Sequence, residues 1–430
     1  MKFLVPKLNG KNILKILMMY LRTITLKQWQ KKPLVFIRAF VQIRINKMKN
    51  ILIITNIPAP YRQKMFNSMS NIFTLLGLSL KVLYMAKKEP NRKWKIKQET
   101  YQYHYKFYWG LHPIIGNMFA HFNPGLLLRL IFKRDYQAVI LGGMASPTHW
   151  LVPFFVKRNA KKFMWVESNL TSVKRTKGLS YRLKNLLLSK QDGFVITGNP
   201  QKEYIRYFLP EIGERFFFIL PNIIDESLFY HGIRKIRKDK HQILEEAGVS
   251  EDCQMWILPG QFIEKKGILE FLDLLSISDI SNVKLFLLGD GILRPQISKR
   301  IQNFNIPVEI IGFVQQEVML RYYAAADLFI LPSLSDPSPL SPIEAIASGL
   351  PILVSSKIGN CDDVLDEGQN GWSYDPITEK DKGAKILKKL AESTVNQRNI
   401  MGVYSSNIYK ERFDTDKLIT DFSEKLKKFV

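Results

Sequence analysis

The chain has 430 residues, of which 46% are hydrophobic, and its formal net charge is +25. This length is too great for one hydrophobic core and predicts two domains of about 150–200 residues each. Two cysteines exclude a disulfide framework, lack the spacing of a metal site and favour a reducing, cytoplasmic compartment. No apolar run reaches the roughly 20 residues of a membrane span, and no signal-peptide cleavage pattern is expected.

The positive charge is concentrated in the first half of the chain. Residues 1–220 hold 38 Lys/Arg and 8 Asp/Glu, whereas residues 221–430 hold 25 and 30. Such asymmetry predicts an extended anionic partner for the first half. The candidates are an anionic membrane face, a diphosphate-bearing acceptor and a nucleic acid.

Residues 1–47 hold 11 Lys/Arg and no acid, with apolar stretches between them. They are either a basic membrane-binding extension or the product of an upstream start codon that the cell seldom uses. Both explanations fit the sequence. Met48 precedes the first predicted strand and is a natural start for a Rossmann-like fold.

Segment 87–109 interleaves cations with Trp and Tyr. Three interpretations stay open: a solvated edge strand with incidental aromatics, a membrane-interface segment, and a stacking surface for single-stranded nucleic acid. The sequence contains neither an RNP-type string nor a zinc knuckle, so no nucleic-acid partner is expected.

Short apolar strands alternate with longer helical segments along the chain, which predicts parallel sheets covered by helices. The fold class is therefore α/β. The predicted strands are 51–55, 81–85, 138–141, 163–166 and 193–197 in the first half, and 255–258, 284–288, 309–311, 328–331 and 352–355 in the second.

Three residues at strand ends of the first half are candidates for a binding role. Arg62 follows a Pro-x-Pro-Tyr loop and is otherwise a surface cation. His149 lies just inside a helix, behind two glycines that allow a ligand to approach closely, and is otherwise a helix-surface residue. Glu167 is a carboxylate directly after a predicted strand, and its role is left open.

Residues 329–352 carry the most informative pattern, an apolar strand, a Ser/Pro/Asp loop and a short helix. Asp336 and Glu344 stand eight positions apart in it. Carboxylates accept hydrogen bonds from hydroxyls, and a helix N-terminus offers N–H groups to an anion, which suits a ligand with a sugar and a phosphate. Ser341-x-x-Glu344 is also a capping box, which would explain Glu344 structurally.

Further patterns occur in order: NIIDESLF at 222–229, LPGQFIEKKGIL at 258–269, LLGDGIL at 287–293, IIGFV at 310–314, and Gly359-Asn360. Together they resemble the family 4 glycosyltransferases, retaining enzymes of the GT-B fold, over roughly residues 48–430. The resemblance implies two Rossmann-like domains facing each other across a cleft. It places an acceptor domain at 48–221, a donor domain at 222–404, and a C-terminal helix at about 405–430 that packs back on the first domain.

The resemblance also implies roles for single residues. Lys266 stands where the family clamps a nucleotide diphosphate, and Gln261 replaces the arginine of that clamp with a neutral side chain. Asp336, one methylene shorter than the family's glutamate, is expected to bind the transferred sugar, and Glu344 the ribose. The other implied donor-binding residues are Gly260, Gly289, Phe313, Val314, Ser338, Leu340 and Ser341. Arg62, His149 and Glu167 would lie on the acceptor side.

The implied reaction is transfer of a sugar, of the hexosyl type, from a nucleotide sugar to a lipid-linked or polysaccharide acceptor with retention, on the inner face of the cell membrane. No metal or cofactor is expected. The alternatives are a GT-B protein that binds without transfer, a GT-B epimerase or phosphorylase, and a basic nucleic-acid-binding protein. The sequence contains no motif for the pyridoxal phosphate lysine that a phosphorylase would need.

Overall fold

The computed structural model describes residues 48–89, 98–115, 118–173, 178–302, 304 and 307–430. The predicted basic extension at 1–47 lies outside the described residues. So does most of the cationic part of segment 87–109, because the description omits 90–97.

The first sheet has seven strands in the order β3-β2-β1-β6-β7-β8-β9, and β4 and β5 form a separate antiparallel hairpin. The strands are β1 Lys49–Thr55, β2 Leu78–Tyr84, β3 His104–Phe107, β4 Ile114–Ile115, β5 Met118–Phe119, β6 Ala138–Leu141, β7 Lys161–Val166, β8 Gly193–Ile196 and β9 Phe217–Ile219. The helices of this part are α1 Pro60–Leu75, α2 Pro124–Phe132, α3 Pro147–Phe155, α4 Leu179–Ser189 and α5 Asn199–Phe208.

The second sheet has six strands in the order β12-β11-β10-β13-β14-β15. They are β10 Gln254–Pro259, β11 Val283–Leu288, β12 Val308–Ile310, β13 Leu328–Leu331, β14 Ile352–Ser355 and β15 Gly371–Tyr374. After a π-helical turn at Ser227–Gly232, the helices are α6 Ile233–Ile236, α7 Lys240–Glu246, α8 Ile268–Ile277, α9 Arg294–Ile301, α10 Gln316–Ala325, α11 Ser341–Ala347, α12 Cys361–Val364, α13 Lys380–Ala391, α14 Val395–Arg412 and α15 Thr415–Phe429.

Local sequence explains where these elements begin and why the central strands are apolar throughout. Every residue of β6, β8, β10, β13 and β14 is buried, as expected for parallel strands covered by helices on both faces. Six helices, α1, α2, α3, α5, α9 and α11, have proline in the first or second position, where its missing N–H costs no hydrogen bond. Helix α14 begins with a complete capping box between Thr394 and Gln397.

The predicted α/β fold with two parallel sheets is confirmed, and each of the ten predicted strands is present within a few residues of its expected ends. In the two parallel sheets the prediction missed β3, β9 and β15, whose sequences HYKF, FFI and GWSY lack a run of branched aliphatic residues. It also missed the two-residue strands β4 and β5. Each sheet reverses its strand order at one point, between β1 and β6 in the first and between β10 and β13 in the second. Crevices at such points are the usual ligand sites of open α/β sheets.

The described chain forms two compact units, one with residues up to Trp165, 190–193 and 419–430, and one with 166–189 and 194–418. These units differ from the predicted domains at 48–221 and 222–404, which stay a prediction. Among the described helices, none combines the length and the apolar character that crossing a bilayer requires.

Candidate functional site

The site lies at the carboxyl ends of β10 and β13, where the second sheet reverses its strand order. Lys266 ends a 3-10 turn after β10, and Asp336 lies in the loop after β13. The Lys266 Nζ donates to Asp336 Oδ2 at 2.6 Å, and both side chains are largely buried, at 16% and 14% exposure. Two residues 70 positions apart are thus brought together as a largely buried ion pair.

Glu344 lies in the first turn of α11 and is half-buried. The Tyr323 hydroxyl, which is fully buried, donates to Glu344 Oε2 at 3.3 Å. Burial raises the pKa of Glu344 to about 7, and the hydrogen bond from Tyr323 opposes that shift. Burial, and after it the nearby Glu344 carboxylate, raises the pKa of Tyr323 well above its ordinary value.

The capping box predicted at Ser341-x-x-Glu344 is absent. The N-cap residue of α11 is Leu340, one position before the predicted cap Ser341, and its own backbone is already in the helical region. No side chain caps the helix. The box fails because Ser341 already lies inside the helix, where its hydroxyl is no longer placed to bond the N–H three residues on. Capping therefore does not account for Glu344.

Two glycines allow backbone segments of the site to approach each other closely. A Cβ on Gly289, after β11, would lie 1.7 Å from the carbonyl oxygen of Gly260, after β10. A Cβ on Gly359 would lie 2.0 Å from the carbonyl oxygen of Pro337. Any side chain at these positions would displace the loops that carry Lys266 and Asp336.

The loop 337–339 is held by three amide side chains from other parts of the chain. Gln201 Nε2 donates to the carbonyl of Pro337 at 3.0 Å, Asn222 Nδ2 to that of Ser338 at 2.9 Å, and Asn360 Nδ2 to that of Pro339 at 2.9 Å. Two of the three loop residues are prolines without N–H groups, so the loop cannot hold itself by backbone donors. Amide side chains fix it instead, next to Asp336.

We expect Asn360→Asp to destabilise the protein by about 1–3 kcal/mol, the cost of leaving a buried carbonyl without its donor. The variant keeps the side-chain shape but places an acceptor against the Pro339 carbonyl. Urea unfolding followed by circular dichroism measures the change. Asn159→Asp, on an exposed turn, is the matched control. Equal stability of both variants would contradict the role of Asn360.

The other predicted donor residues line the same strand ends with less contact. Ser338 Oγ lies 3.2 Å from Asn222 Nδ2, and Leu340 and Ser341 are half-buried. Gln261 and Phe313 are exposed, and Val314 is half-buried. Lys266 contacts Asp336, whereas Gln261 at the other clamp position is neutral and exposed. The donor-binding roles of all these residues stay predictions.

The sheet reversal between β1 and β6 carries Arg62 and His149. Arg62, in the first turn of α1, donates to Thr55 Oγ1 at 3.2 Å and lies 5.0 Å from the ring centroid of Trp165. It is 7% exposed, so its interpretation as a surface cation is wrong. His149 is 1% exposed, so its interpretation as a helix-surface residue is also wrong, and burial lowers its pKa to about 3, which keeps the ring neutral.

Glu167 follows β7 and is half-buried. Four residues after Glu167, Thr171 Oγ1 lies 3.1 Å from the Oγ of Ser335, the residue that precedes Asp336. Sequence reasoning missed Thr171, Gln201 and Tyr323, because no local pattern marks a residue whose partner lies far along the chain. The part of the chain that the structure describes contains no group of three or more His, Cys, Asp or Glu that could hold a metal ion.

The aromatic residues of segment 98–107 are structural. Tyr103 is buried and its hydroxyl lies 2.8 Å from that of Tyr84, while the rings of Tyr101 and Tyr103 stack at 5.1 Å and those of Tyr84 and Phe107 at 5.3 Å. Part of the segment forms β3, an edge strand of the first sheet, as the edge-strand interpretation predicts. Tyr105 at 37% and Trp109 at 71% are exposed, and the membrane and nucleic-acid interpretations stay predictions.

Residues 239–407 match the family model for glycosyl transferases group 1. The chain is 29% identical to an uncharacterized glycosyltransferase of Methanocaldococcus jannaschii, over 34% of this chain and 40% of that protein. It is 26% identical to the alpha-monoglucosyldiacylglycerol synthase of Acholeplasma laidlawii, over 44% of this chain and 47% of that protein. The chain thus spans less than half the length of these two relatives.

The crystal structure of Anabaena HepE in complex with UDP is similar over 88% of this chain and 99% of that one, with a TM-score of 0.68 and 15% identity. At this identity the similarity is evidence for the fold alone. The chain has the GT-B fold that the sequence predicted, with Lys266, Asp336 and Glu344 inside the part that matches the family model.

Proposed function

We propose that this chain is a glycosyltransferase that moves a sugar from a nucleotide sugar to an acceptor with retention of anomeric configuration. The observation that carries the proposal is the largely buried ion pair of Lys266 and Asp336 at the reversal of the second sheet, with Glu344 on the next helix. The family resemblance supports retention, and the glycosyl transferase match over 239–407 supports the class of reaction.

In this proposal the three residues bind successive parts of the donor. Lys266 contacts the diphosphate and stabilises the negative charge that develops as the bond to the sugar breaks. Asp336 accepts hydrogen bonds from hydroxyls of the transferred sugar, and Glu344 from those of the ribose. The departing phosphate accepts the acceptor's proton, so no separate protein base takes part, and the proposal includes no metal or cofactor.

The proposed acceptor is lipid-linked or a polysaccharide, and the chain acts as a peripheral protein on the cytoplasmic face of the membrane. Two observations support this. The first half of the chain holds 38 Lys/Arg against 8 Asp/Glu, and one relative is named for a product that is a glycosylated diacylglycerol. Each Lys or Arg near an anionic lipid surface contributes about 1 kcal/mol to attachment.

A panel of nucleotide sugars, screened by thermal shift, tests the proposal. A donor at a hundredfold excess over its Kd stabilises the native state by about 2.7 kcal/mol and should raise Tm by roughly 5–10 °C. We expect at least one nucleotide sugar of the panel to stabilise the purified protein and to be hydrolysed by it slowly in the absence of acceptor. A donor that binds but is never hydrolysed or transferred would instead support the alternative of a binding protein, which the neutral Gln261 motivates.

A further inference from the structure

We propose that the adjoining ends of α2 and α3 form a lipid-contacting surface that inserts into an anionic bilayer. Four large apolar side chains are exposed there: Leu128 at 51%, Phe132 at 78%, Phe154 at 62% and Phe155 at 36%. We call these four residues the phenylalanine patch. Several large apolar side chains exposed together on a folded domain mark an interaction site more often than isolated ones do.

Two hydrogen bonds show that the two helices run side by side in the same direction. At their N-terminal ends, the backbone N–H of Asn123, the N-cap residue of α2, donates to Thr148 Oγ1 in the first turn of α3 at 2.8 Å. At their far ends, Lys157 Nζ donates to the carbonyl of Arg134 at 2.8 Å. Since Phe132 ends α2 and Phe155 ends α3, the exposed rings lie at the same end of the helix pair.

Cations adjoin the phenylalanine patch where the chain leaves each helix. Lys133, Arg134 and Arg158 are exposed directly after the two helices, and Lys157 is half-buried between them. The nearby acid, Asp135, is neutralised by Arg129 at 2.6 Å and Lys81 at 3.1 Å, and these contacts hold the pKa of its carboxyl below the usual range. The surface therefore presents apolar rings within a positive border.

An anionic bilayer is the partner that satisfies both features. Aromatic rings enter the region between headgroups and acyl chains, while the surrounding Lys and Arg remain with the anionic headgroups. A second copy of this chain fits less well, because a symmetric dimer would bring two positive borders against each other. This inference rests on the membrane attachment proposed above and names the residues that make it.

Vesicle sedimentation tests the inference with two matched double variants of the full chain. Phe132→Ser with Phe154→Ser removes two rings of the phenylalanine patch. Ile277→Ser with Val403→Ser removes two apolar side chains of comparable exposure, 62% and 60%, in the other compact unit. Both are compared with the unmodified protein on vesicles of phosphatidylcholine with and without phosphatidylglycerol, at low and high salt.

The unmodified protein and the control variant should bind the anionic vesicles, with part of the binding resistant to salt. The phenylalanine variant should bind the anionic vesicles at least about tenfold more weakly. It should also lose the salt-resistant part of the binding, because that part comes from buried apolar area. Donor binding by all three should be equal, which keeps this test separate from that of the glycosyltransferase proposal.

Equal vesicle binding by the phenylalanine and control variants would overturn the inference while leaving membrane attachment intact. Failure of the unmodified protein to bind anionic vesicles at low salt would overturn both the inference and the attachment. A dimer in sedimentation velocity that the phenylalanine variant abolishes would also overturn the inference and assign the patch to a second copy of the chain.

Discussion

Replacing Lys266 with alanine is expected to lower turnover by on the order of ten- to a hundredfold, with the fold intact. Gln261 is neutral and exposed, so Lys266 is the cation at this strand end that the structure places against the Asp336 carboxylate. Removing it takes away the charge proposed to stabilise the departing diphosphate. It also leaves Asp336, at 14% exposure, without its partner. Steady-state kinetics with the donor identified by the panel measures the loss.

Two controls separate these contributions. Lys265→Ala changes the exposed lysine on the same turn and should leave turnover within about twofold of the original, because exposed charges contribute little. Lys266→Ala with Asp336→Asn removes both charges of the pair. It is compared with Asp336→Asn alone, because Asp336 is itself proposed to bind the sugar. If the lost cation caused the defect, Lys266→Ala should lower the turnover of Asp336→Asn by about the same factor as that of the original protein. If the unpaired carboxylate caused it, Lys266→Ala should have little further effect on Asp336→Asn. Near-normal turnover of Lys266→Ala alone would show that the diphosphate is not bound here.

The fold was predictable because its central strands are buried on both faces. Segments such as Ala138–Leu141 and Leu328–Leu331 are short runs of apolar residues, and their predicted bounds agree with the observed ones. The edge strands β3, β9 and β15 escaped prediction because edge position, aromatic residues and a glycine replace that pattern. Pairing with a neighbouring strand makes them strands, and sequence alone does not show the neighbour.

The site was predictable where its chemistry is local in the sequence and not where tertiary contacts decide. The spacing of Asp336 and Glu344 and the motif around Lys266 marked these residues, but not the 2.6 Å contact between Lys266 and Asp336. The amides that hold the loop come from as far as Gln201, 136 positions before Pro337. Similarly, the sequence around Arg62 and His149, each a single charged or titratable residue after a strand, does not show that the folded protein buries both side chains.

Glu344→Gln is expected to weaken donor binding by about 1.5–3 kcal/mol above neutral pH, the cost of losing a charge-assisted hydrogen bond, or roughly ten- to a hundredfold. Since burial raises the pKa of Glu344 to about 7, the carboxylate becomes fully available only as pH rises past that value. Donor affinity of the unmodified protein should therefore increase with pH through about 7 and that of the variant should not. Calorimetry with an intact nucleotide sugar, whose phosphate diesters do not titrate in this range, measures both effects.

The same shift predicts the opposite pH dependence for stability. Between the ordinary value of 4.5 and about 7, the unfolded chain releases the Glu344 proton while the native state keeps it. The free energy of unfolding should fall as pH rises through this window, and Glu344→Gln should lack that contribution. Tyr323→Phe removes the hydrogen bond that opposes the rise in the pKa of Glu344, so the pKa of Glu344 should rise further. The increase in donor affinity and the upper end of the fall in stability should then both move to higher pH. Glu317→Gln, an exposed residue of α10, is the control. Unchanged donor affinity and an unchanged pH profile in Glu344→Gln would remove Glu344 from the donor site.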